Sequence, residues 1–431
     1  MKNRLLVLSV DAMVWEDMER LIREEPAFAE MFGQGSAVRK VRSIYPTVTY
    51  PCHTTMVTGC YPDKHGLYNN SIFCPGTVNG DWNWFHAPVR TKDIFTVASE
   101  AGLKTASLFW PVTAGHPYID YNIPEYWPQS ETDTKKAAFL RGGTSPELWE
   151  EVADRYIHGF RIRVHPETDA FLVNCACDII EKYRPEVLML HTGDVDHYRH
   201  RNGVWSEKVY DGVKDNFRWF CQMIEASKRA GTYEETNFFM VSDHGQLDID
   251  RIVRLNVLLR EEGLIRVDGQ GNFLDWDAYV HSTALSAQVH LKHPEDREIY
   301  ERTYALLNRL CEEGKYGISK VLTREEAESR DHLSGDFSFV LDSDGHSSFS
   351  EEWNGPLVQE QDQTDYRFGA ATHGHYPDLG PQPVFFGFGP AIKSGVYLDK
   401  ANLVDEAPTY VQILGLSLPE ADGRVLTELL K

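Results

Sequence analysis

The sequence predicts an α/β fold with a mainly parallel central sheet, flanking helices and a small α+β cap insertion. Short apolar runs alternate with stretches of helical spacing, which is the pattern of βα units. The chain has 431 residues, 42% hydrophobic and 25% charged, as in an ordinary globular protein with a large core. Residues 265–370 differ in texture and interrupt this alternation. Together these observations favour one main sheet with an insertion.

The elements of the main sheet follow in order along the chain. The first apolar run is followed by WEDMERLIREEPAFAEMF, which has helical spacing. The stretch before residue 236 is also helical, and Gly231 is placed to end it. The predicted strands are 5–10 (LLVLSV), 104–110 (KTASLFW), 186–194 (EVLMLHTGD), 236–245 (TNFFMVSDHG) and 383–389 (PVFFGFG).

The predicted core comprises residues 1–264 and 371–431, and the predicted cap comprises residues 265–370, with approximate boundaries. Within the cap, SAQVHL (286–291) is interpreted as a strand, residues 295–314 as a helix, and GDFSFVLDSDGHSS (335–348) as a strand with a turn. Residues 115–165 are irregular and rich in proline and tryptophan, so we expect a lid or an edge there.

Composition excludes several classes of function. The net charge is −22, which opposes binding of nucleic-acid polymers, since these need clustered Lys and Arg. No stretch approaches the roughly 20 apolar residues of a membrane span. The N-terminal apolar run is too short for a signal-peptide core, and the seven scattered cysteines do not form a disulfide framework. We therefore expect a cytoplasmic protein; its oligomeric state stays open.

Aspartate and histidine follow the predicted strands at sequence-distant places. Ligands bind at the carboxyl ends of strands in open α/β sheets, so these side chains are expected to meet at one rim. Carboxylates and imidazoles suit zinc or a similar divalent ion, and six ligands drawn from the eight candidates below exceed the four that one tetrahedral site accepts. Two three-ligand sites would form the clamp used for displacement at phosphorus. The residues after the strands are Asp11, Asp194, Asp196, His200, Asp243, His244, His373 and His375.

The segment IYPTVTYPCHTTMVTG (44–59) carries five threonines after a predicted strand and turn. A threonine hydroxyl is a poor nucleophile unless a base or a metal lowers its pKa. The predicted metal rim offers that activation, but the residues alone do not select one threonine.

These motifs together resemble the nucleotide pyrophosphatase/phosphodiesterase family of the alkaline phosphatase superfamily. PTVTYPCHTTMVTGCYPDKHGLYNN (46–70) looks like the family's nucleophile segment, and FWPV (109–112) is similar to its FWPG. The Asp196-x-x-x-His200, Ser-Asp243-His244-Gly and His373-Gly motifs fall in the family's order, and APTYVQILGLSLPEADGRVL resembles the superfamily's C-terminal segment. The resemblance implies an alkaline-phosphatase-like fold.

The resemblance also implies roles for individual residues. Thr49 would be the nucleophile, forming a phosphothreonine-type intermediate, and Asn70 would bind a phosphoryl oxygen. Two divalent ions, most consistent with zinc, would be held by two sets of ligands: Asp11, Asp243 and His244 for one, and Asp196, His200 and His373 for the other. Tyr50, next to the nucleophile, is the candidate to line a base or headgroup pocket.

The chain departs from the family pattern at several positions. Cys52 replaces the usual Asn and reads as a small buried residue. His191 stands where an aromatic residue often serves the substrate pocket, so base stacking is in doubt. Arg199 and Arg201 are unusually basic neighbours of a ligand, either solvated or gripping an extra anionic group of the substrate. His53 and His65 read as structural, and Asp194 as a support of the ligand loop.

The leading interpretation is a two-metal phosphodiesterase or nucleotide pyrophosphatase acting on a small phosphodiester, a pyrophosphate or a nucleotide. Two alternatives remain: a phosphomonoesterase or phosphonate hydrolase on the same scaffold, or a catalytically silent metal-dependent binding protein. The sequence does not reveal the physiological substrate, the leaving group or the metal loaded in the cell.

Overall fold

The computed structural model describes residues 3–78, 80–362 and 369–431. Across these residues, an eight-stranded sheet runs through the centre of the molecule. All of its strands are parallel except Phe385–Phe388, which pairs antiparallel with both of its neighbours. The strand order is Tyr397–Leu398, Ser36–Val38, Phe385–Phe388, Thr236–Val241, Arg4–Val10, Val187–Thr192, Thr105–Leu108 and Tyr121–Ile123. The predicted strands of the core are confirmed.

Helices cover both faces of this sheet. Side chains along Arg4–Val10 alternate between two apolar clusters: Leu6 and Leu8 lie in one, and Leu5 and Val7 in the other. Because both faces are buried, apolar side chains point to both sides from Leu5 to Leu8 instead of alternating with polar ones. The helices of seven or more residues are Trp15–Glu24, Pro26–Gly33, Thr49–Thr58, Ile94–Glu100, Lys135–Arg141, Glu167–Tyr183, Asp194–Asn202, Glu207–Ala230, Leu255–Glu261, Arg297–Glu313, Arg324–Asp331 and Glu406–Ile413.

Helix ends follow the local sequence. The expected helix after the first strand is two helices, because Pro26 cannot continue the first one and instead begins the second. Gly231 ends Glu207–Ala230 at a φ of 72°, as predicted. Shorter helical turns are Pro62–His65, Pro146–Leu148, Trp149–Ala153, Asp154–Tyr156, Tyr233–Glu235, Leu403–Asp405 and Thr427–Leu429.

A second sheet of four antiparallel strands lies within the predicted cap. Its order is Ala278–Ser282, Ser286–Leu291, Phe339–Ser343 and Ile318–Thr323, and helix Arg297–Glu313 packs on it through a separate apolar cluster. That cluster already begins at Val253. The domain boundaries remain a prediction. The remaining strands pair as Ile265–Val267 with Phe273–Trp276, Arg251–Val253 with Ser347–Phe349 and Val358–Glu360, Leu247–Asp248 with Ala371–Thr372, and Val41–Arg42 with Ala401–Asn402.

Buried polar contacts join the four-stranded sheet to the core. The hydroxyl of Tyr45, a core residue, donates to Asp342 Oδ1 at 2.5 Å. Within the predicted cap, Arg330 Nη1 donates to Asp342 Oδ2 at 2.8 Å and holds that carboxylate in place. Asn69 Nδ2 donates to Gln288 Oε1 at 2.8 Å, just before Asn70. The second sheet therefore supports the loop that follows the threonine-rich segment. Among the described helices, none combines the length and apolar character required to span a bilayer.

Candidate active site

A cavity of about 610 Å³ opens at the carboxyl ends of the central strands. Its wall includes Asp11, which directly follows the first strand, and Asp196 and His200, which follow Val187–Thr192 on helix Asp194–Asn202. Thr49 and His373 come from separate segments and line the same wall. The expectation that these sequence-distant residues share one rim agrees with their positions.

The first predicted ligand set lies at the deeper end of the site. His244 Nε2 is 3.1 Å from Asp243 Oδ2 and 3.6 Å from Asp11 Oδ1. Asp243 and His244 are fully buried, and Asp11 is 5% exposed. Neither Asp11 Oδ1 nor Asp243 Oδ2 has a hydrogen-bond partner among the residues that the structure describes. Buried carboxylate oxygens without donors are costly unless a cation meets them.

The second predicted ligand set adjoins the first. His200 Nε2 is 3.3 Å from Asp196 Oδ2, and His373 Nε2 is 3.8 Å from Asp196 Oδ1. His200 Nδ1 donates to the carbonyl of Ala371 at 2.8 Å, which leaves the Nε2 lone pair facing Asp196. Ligand atoms of Asp11, Asp196 and His244 also lie within 4.8 Å of one another, so Asp196 stands between the two sets.

The electrostatics of the cluster reflect crowded buried carboxylates. Burial raises the pKa of Asp243 to about 7, and burial together with the charge of Asp243 raises the pKa of Asp11 well above its ordinary value. Burial acts in the same direction on Asp196, but His200, His373 and His244 outweigh it and lower its pKa. Burial lowers the pKa of His244 to about 4, so its imidazole is neutral and able to ligate. Carboxylates and neutral imidazoles of this kind fit divalent cations.

Thr49 is the first residue of helix Thr49–Thr58, and its Oγ1 lies 3.3 Å from His244 Nε2. Thr47 is placed differently. Its hydroxyl donates to the carbonyl of His375 at 2.9 Å and accepts from Gly374 N–H at 3.0 Å. Thr49 lines the cavity and Thr47 does not, so the geometry favours the threonine that the resemblance selects.

Asn70 and Tyr50 are linked, but only Asn70 reaches the cavity. The amide N–H of Tyr50 donates to Asn70 Oδ1 at 2.8 Å, which turns the Nδ2 hydrogens of Asn70 away from that contact. The Tyr50 side chain is fully buried, packed in a cluster with Trp84 and Tyr126. The structure thus puts Tyr50 behind the cavity wall rather than on it, and Glu125 stands at the wall instead.

The two basic neighbours of His200 lie in different environments. Arg199 is fully buried, where it donates to the carbonyl of Ala12 at 3.0 Å and pairs with Asp17. It is therefore neither solvated nor available to a substrate. Arg201 is exposed and lines the cavity.

His191 approaches the first ligand set from Val187–Thr192. Its Nε2 is 3.2 Å from Asp11 Oδ2, and its Nδ1 is 3.3 Å from the carbonyl of Phe109. The ring is buried beside that of His53, with centroids 4.3 Å apart. His191 thus lines the cavity at the point where it contacts the predicted ligand Asp11.

The other residues singled out from the sequence lie in supporting positions. Cys52 is buried, with its Sγ 3.3 Å from Ser43 Oγ. His53 bridges Ser9 Oγ and the carbonyl of Thr49, both at 2.9 Å. Asp194, the first residue of the ligand helix, accepts at Oδ1 from Asn216 Nδ2 at 2.6 Å.

A third cluster with metal-ligand composition, His86, Asp93 and His116, lies away from the cavity. The amide N–H of Tyr118 donates to His116 Nδ1 at 3.1 Å, so the ring proton sits on Nε2 and points to Asp93 Oδ2 at 2.8 Å. An ion at Nε2 would need that proton on Nδ1, opposite the Tyr118 donor. The cluster therefore reads as a hydrogen-bonded cap of helix Ile94–Glu100.

Glu125 and His165 are among the cavity residues that sequence reasoning missed. Both lie in or beside the irregular stretch at 115–165. Burial raises the pKa of Glu125 to about 7, and its Oε2 has no hydrogen-bond partner within the described residues. For His165, the sequence did offer a signal: the His-x-x-x-Asp spacing of His165 and Asp169 indicates a His–Asp pair on one helical face.

Comparisons with known proteins agree with this geometry. The family model "Type I phosphodiesterase / nucleotide pyrophosphatase" matches residues 5–374. Ectonucleotide pyrophosphatase/phosphodiesterase family member 7 of Rattus norvegicus is 25% identical over 258 residues, covering 58% of this chain and 51% of the relative. Ectonucleotide pyrophosphatase/phosphodiesterase 2 of Saccharomyces cerevisiae is 22% identical over 264 residues, covering 59% and 48%. The chain spans about half the length of these curated relatives.

Solved structures share the fold. Murine ectonucleotide pyrophosphatase/phosphodiesterase 5 superposes with a TM-score of 0.69 at 18% sequence identity, covering 100% of both chains. An inactive variant of that murine protein, solved in complex with AMP, superposes with the same score. At this identity the likeness establishes the fold, which confirms the predicted α/β class with its mainly parallel sheet.

Proposed function

Because the chain belongs to the type I phosphodiesterase/nucleotide pyrophosphatase family, we propose that it hydrolyses a small phosphodiester or pyrophosphate, with nucleotides as the substrate class. The observation that carries this proposal is the shared cavity. Thr49 at the start of its helix and the oriented amide of Asn70 line it, together with the predicted ligands Asp11, Asp196, His200 and His373. The buried ligands Asp243 and His244 adjoin Asp11 from behind the wall. The complex of the murine relative with AMP supports a nucleotide as the occupant.

Each ligand set would hold one divalent cation, most consistent with zinc: Asp11, Asp243 and His244 for one, and Asp196, His200 and His373 for the other. When bound, such ions supply positive charge that acidifies a hydroxyl or a water and stabilises the charge of phosphoryl oxygens. The partnerless oxygens of Asp11 and Asp243 and the ordered tautomer of His200 support this assignment.

Thr49 would act as the nucleophile. Its Oγ1 forms a bond to phosphorus as the bond to the leaving-group oxygen breaks, and the hydroxyl proton passes to solvent. A water then cleaves the phosphothreonine ester, which returns the Oγ1–H group and releases the phosphate product. Two displacements retain the configuration at phosphorus. Asn70 would donate from Nδ2 to a phosphoryl oxygen, since Tyr50 N–H already holds its Oδ1.

The reaction class is tested by zinc-loaded protein with bis-p-nitrophenyl phosphate and p-nitrophenyl phosphate, with Thr49→Ala as the inactive variant and Thr58→Ala as a matched control outside the cavity. We expect a strong preference for the diester that Thr49→Ala abolishes. A preference for the monoester would move the assignment to a phosphomonoesterase or phosphonate hydrolase. Two bound metals with no turnover of either compound would contradict hydrolysis and leave a metal-dependent binding protein.

We also propose a reducing, cytoplasmic location. All seven cysteines are free thiols, and such a pattern is typical of proteins kept in a reducing compartment. Cys74 is exposed, so trapping it with an alkylating reagent in intact cells would test this. An oxidised Cys74 would escape labelling and contradict a reducing location.

A further inference from the structure

Two basic side chains face the cavity next to the second ligand set. Arg201 follows His200 directly on helix Asp194–Asn202, and His165 comes from the segment before helix Glu167–Tyr183. Between them lies His197, whose ring centroid is 5.1 Å from that of His165. The three side chains form a row along one side of the cavity wall.

Arg201 keeps its charge toward the cavity. Its Nε–H donates to His197 Nε2 at 3.2 Å, and this acceptor is a neutral imidazole that does not cancel the charge of the guanidinium. Within the described residues, Arg201 forms no ion pair with a carboxylate. Arg199, two positions earlier on the same helix, is by contrast neutralised by Asp17 in the core. A guanidinium with open N–H groups in a cavity is suited to a carboxylate or a phosphate.

His165 is held in a defined orientation. Its Nδ1 is 2.5 Å from Asp169 Oδ2, while Asp169 Oδ1 accepts from Gly193 N–H at 2.8 Å. Burial acts to lower the pKa of His165, but the Asp169 carboxylate outweighs it and raises the pKa. No hydrogen bond to its Nε2 is present among the described residues, and the side chain is 11% exposed.

Most acidic side chains of the cavity are already engaged. Glu351 accepts from Ser282 N–H at 3.1 Å and lies 3.4 Å from His281, and Glu352 lies 3.7 Å from Arg254. Asp169 is taken by His165. Glu125 sits at the wall by Tyr50, and the hydrogen bond from Tyr50 and the charge of Arg163 both act to lower the pKa of its carboxyl group.

We propose that Arg201 and His165 form a subsite for a second oxyanion of the substrate, carried by its leaving group. The subsite adjoins Asp196 and His200 of the second ligand set. Because Thr49 Oγ1 contacts His244 of the first set, in-line displacement would direct the leaving group toward the second set. The preferred substrates are therefore phosphate esters or anhydrides whose leaving group bears a phosphate or a carboxylate, rather than a neutral alcohol or phenol. This inference rests on the proposed function.

The test compares leaving groups on one nucleotidyl group. ATP carries a pyrophosphate leaving group, the 4-carboxyphenyl ester of AMP carries a carboxylate, and the 4-nitrophenyl ester of AMP carries neither. The variants are Arg201→Gln and His165→Asn, in which the shorter amide keeps a donor for Asp169 but removes the ring Nε2. Arg229→Gln, which removes a charge on helix Glu207–Ala230 away from the cavity, is the control.

For Arg201→Gln we expect kcat/KM to fall about tenfold or more with the anionic leaving groups, and by less than about twofold with the 4-nitrophenyl ester. His165→Asn should lower the ratio of kcat/KM for the anionic leaving groups to kcat/KM for the 4-nitrophenyl ester by a smaller factor. Arg229→Gln should leave this ratio unchanged. If only the ATP arm responds, the oxyanion is a phosphate; if both anionic arms respond equally, the subsite accepts either. Equal losses on all three substrates would overturn the subsite.

A binding measurement separates this proposal from the proposed function. Inorganic pyrophosphate is titrated calorimetrically into metal-loaded wild-type protein and the same variants. If wild type turns over none of the three substrates, the proposed hydrolysis fails. A larger dissociation constant for pyrophosphate in Arg201→Gln than in wild type and Arg229→Gln would still support the subsite. Pyrophosphate affinity that is the same in Arg201→Gln and Arg229→Gln would overturn it.

Discussion

Oγ1 of Thr49 lies 3.3 Å from Nε2 of His244, although 195 residues separate the two in the chain. The contact exists because the first residue of helix Thr49–Thr58 and the turn after Thr236–Val241 end at the same edge of the sheet. A hydroxyl at that point shares its surroundings with Asp11 and Asp243. This placement, more than residue type, distinguishes Thr49 from the other threonines of its segment.

Valine substitutions at Thr47 and Thr49 should have opposite consequences. Thr47→Val loses two buried hydrogen bonds, so we expect the free energy of unfolding to fall by about 1–3 kcal/mol. Thr49→Val should keep stability within about 0.5 kcal/mol and lose turnover by roughly a thousandfold or more. Urea unfolding measures the stability of both variants, and diester hydrolysis measures their turnover. Retention of a tenth of the activity in Thr49→Val would assign the nucleophile elsewhere.

The ligand candidates were predictable from the sequence because strand ends in a parallel sheet converge. Asp11, Asp196 and Asp243 each follow an apolar run, so identifying the strands was enough to bring them together. The spacing of Asp196 and His200 by one helical turn gave their common face. Choosing Thr49 required the family resemblance, and the structure then supplies a geometric reason for that choice.

Other parts of the site were not predictable because they depend on tertiary contacts. Arg199 and Arg201 are two positions apart on a helix and point about 200° apart, but the sequence does not say which one faces the core. Glu125 and His165 come from chain without hydrophobic periodicity. Arg163, two residues before His165, has a φ of 55°, a conformation that no pattern in this stretch indicates.

His191 should strengthen the first metal site by fixing Asp11. Its Nε2 contacts Asp11 Oδ2, which leaves Oδ1 to face His244 Nε2 at 3.6 Å. Without this contact the carboxylate can rotate, so we expect His191→Phe to weaken one of two zinc-binding steps about 10–100-fold. Competition with a chelating dye measures both affinities. His290→Phe, which changes a buried ring outside the cavity, should change neither step. Zinc affinities in His191→Phe equal to those of wild type would show that Asp11 keeps its orientation without His191.

Gly374 couples the second sheet to the predicted ligand His373. Its φ is 89°, and an added Cβ would lie 1.7 Å from the carbonyl oxygen of Thr283. The amide of Leu285 donates to the carbonyl of His373 at 3.1 Å, so relieving that clash must move the histidine. We expect Gly374→Ala to lower the free energy of unfolding by more than about 3 kcal/mol and to abolish turnover.

Gly395 provides the matched control, with a φ of 72° and, among the residues that the structure describes, no atom within 4 Å of an added Cβ. Gly395→Ala carries the same backbone strain without the clash, so a loss of about 1–2 kcal/mol with full activity is expected. Chemical denaturation and turnover measure both variants. Similar stability and activity in the two would mean that the contact with Thr283 has no role in holding His373.

Acid should destabilise the fold through buried neutral histidines, of which His65 is the clearest case. Its Nε2 lies 3.0 Å from Thr55 Oγ1, whose own proton goes to the carbonyl of Cys60, so Nε2 carries the hydrogen. Its Nδ1 accepts from Leu67 N–H at 3.1 Å, which leaves no place for a second proton. Burial lowers the pKa of His65 to about 3, from an ordinary value of 6.5.

The sign of the pH effect follows from that shift. Between about pH 6.5 and pH 3 the unfolded chain binds a proton at His65 and the folded chain does not, so stability falls as the pH falls through this window. We expect His65→Asn, whose Oδ1 can still accept from Leu67, to be less stable at pH 7 but to lose less stability between pH 6.5 and 4. Urea unfolding at half-unit steps measures the slope, with the exposed His293→Asn as control. An unchanged slope in His65→Asn would show that His65 takes up its proton without unfolding, and that the acid sensitivity arises at the other buried histidines.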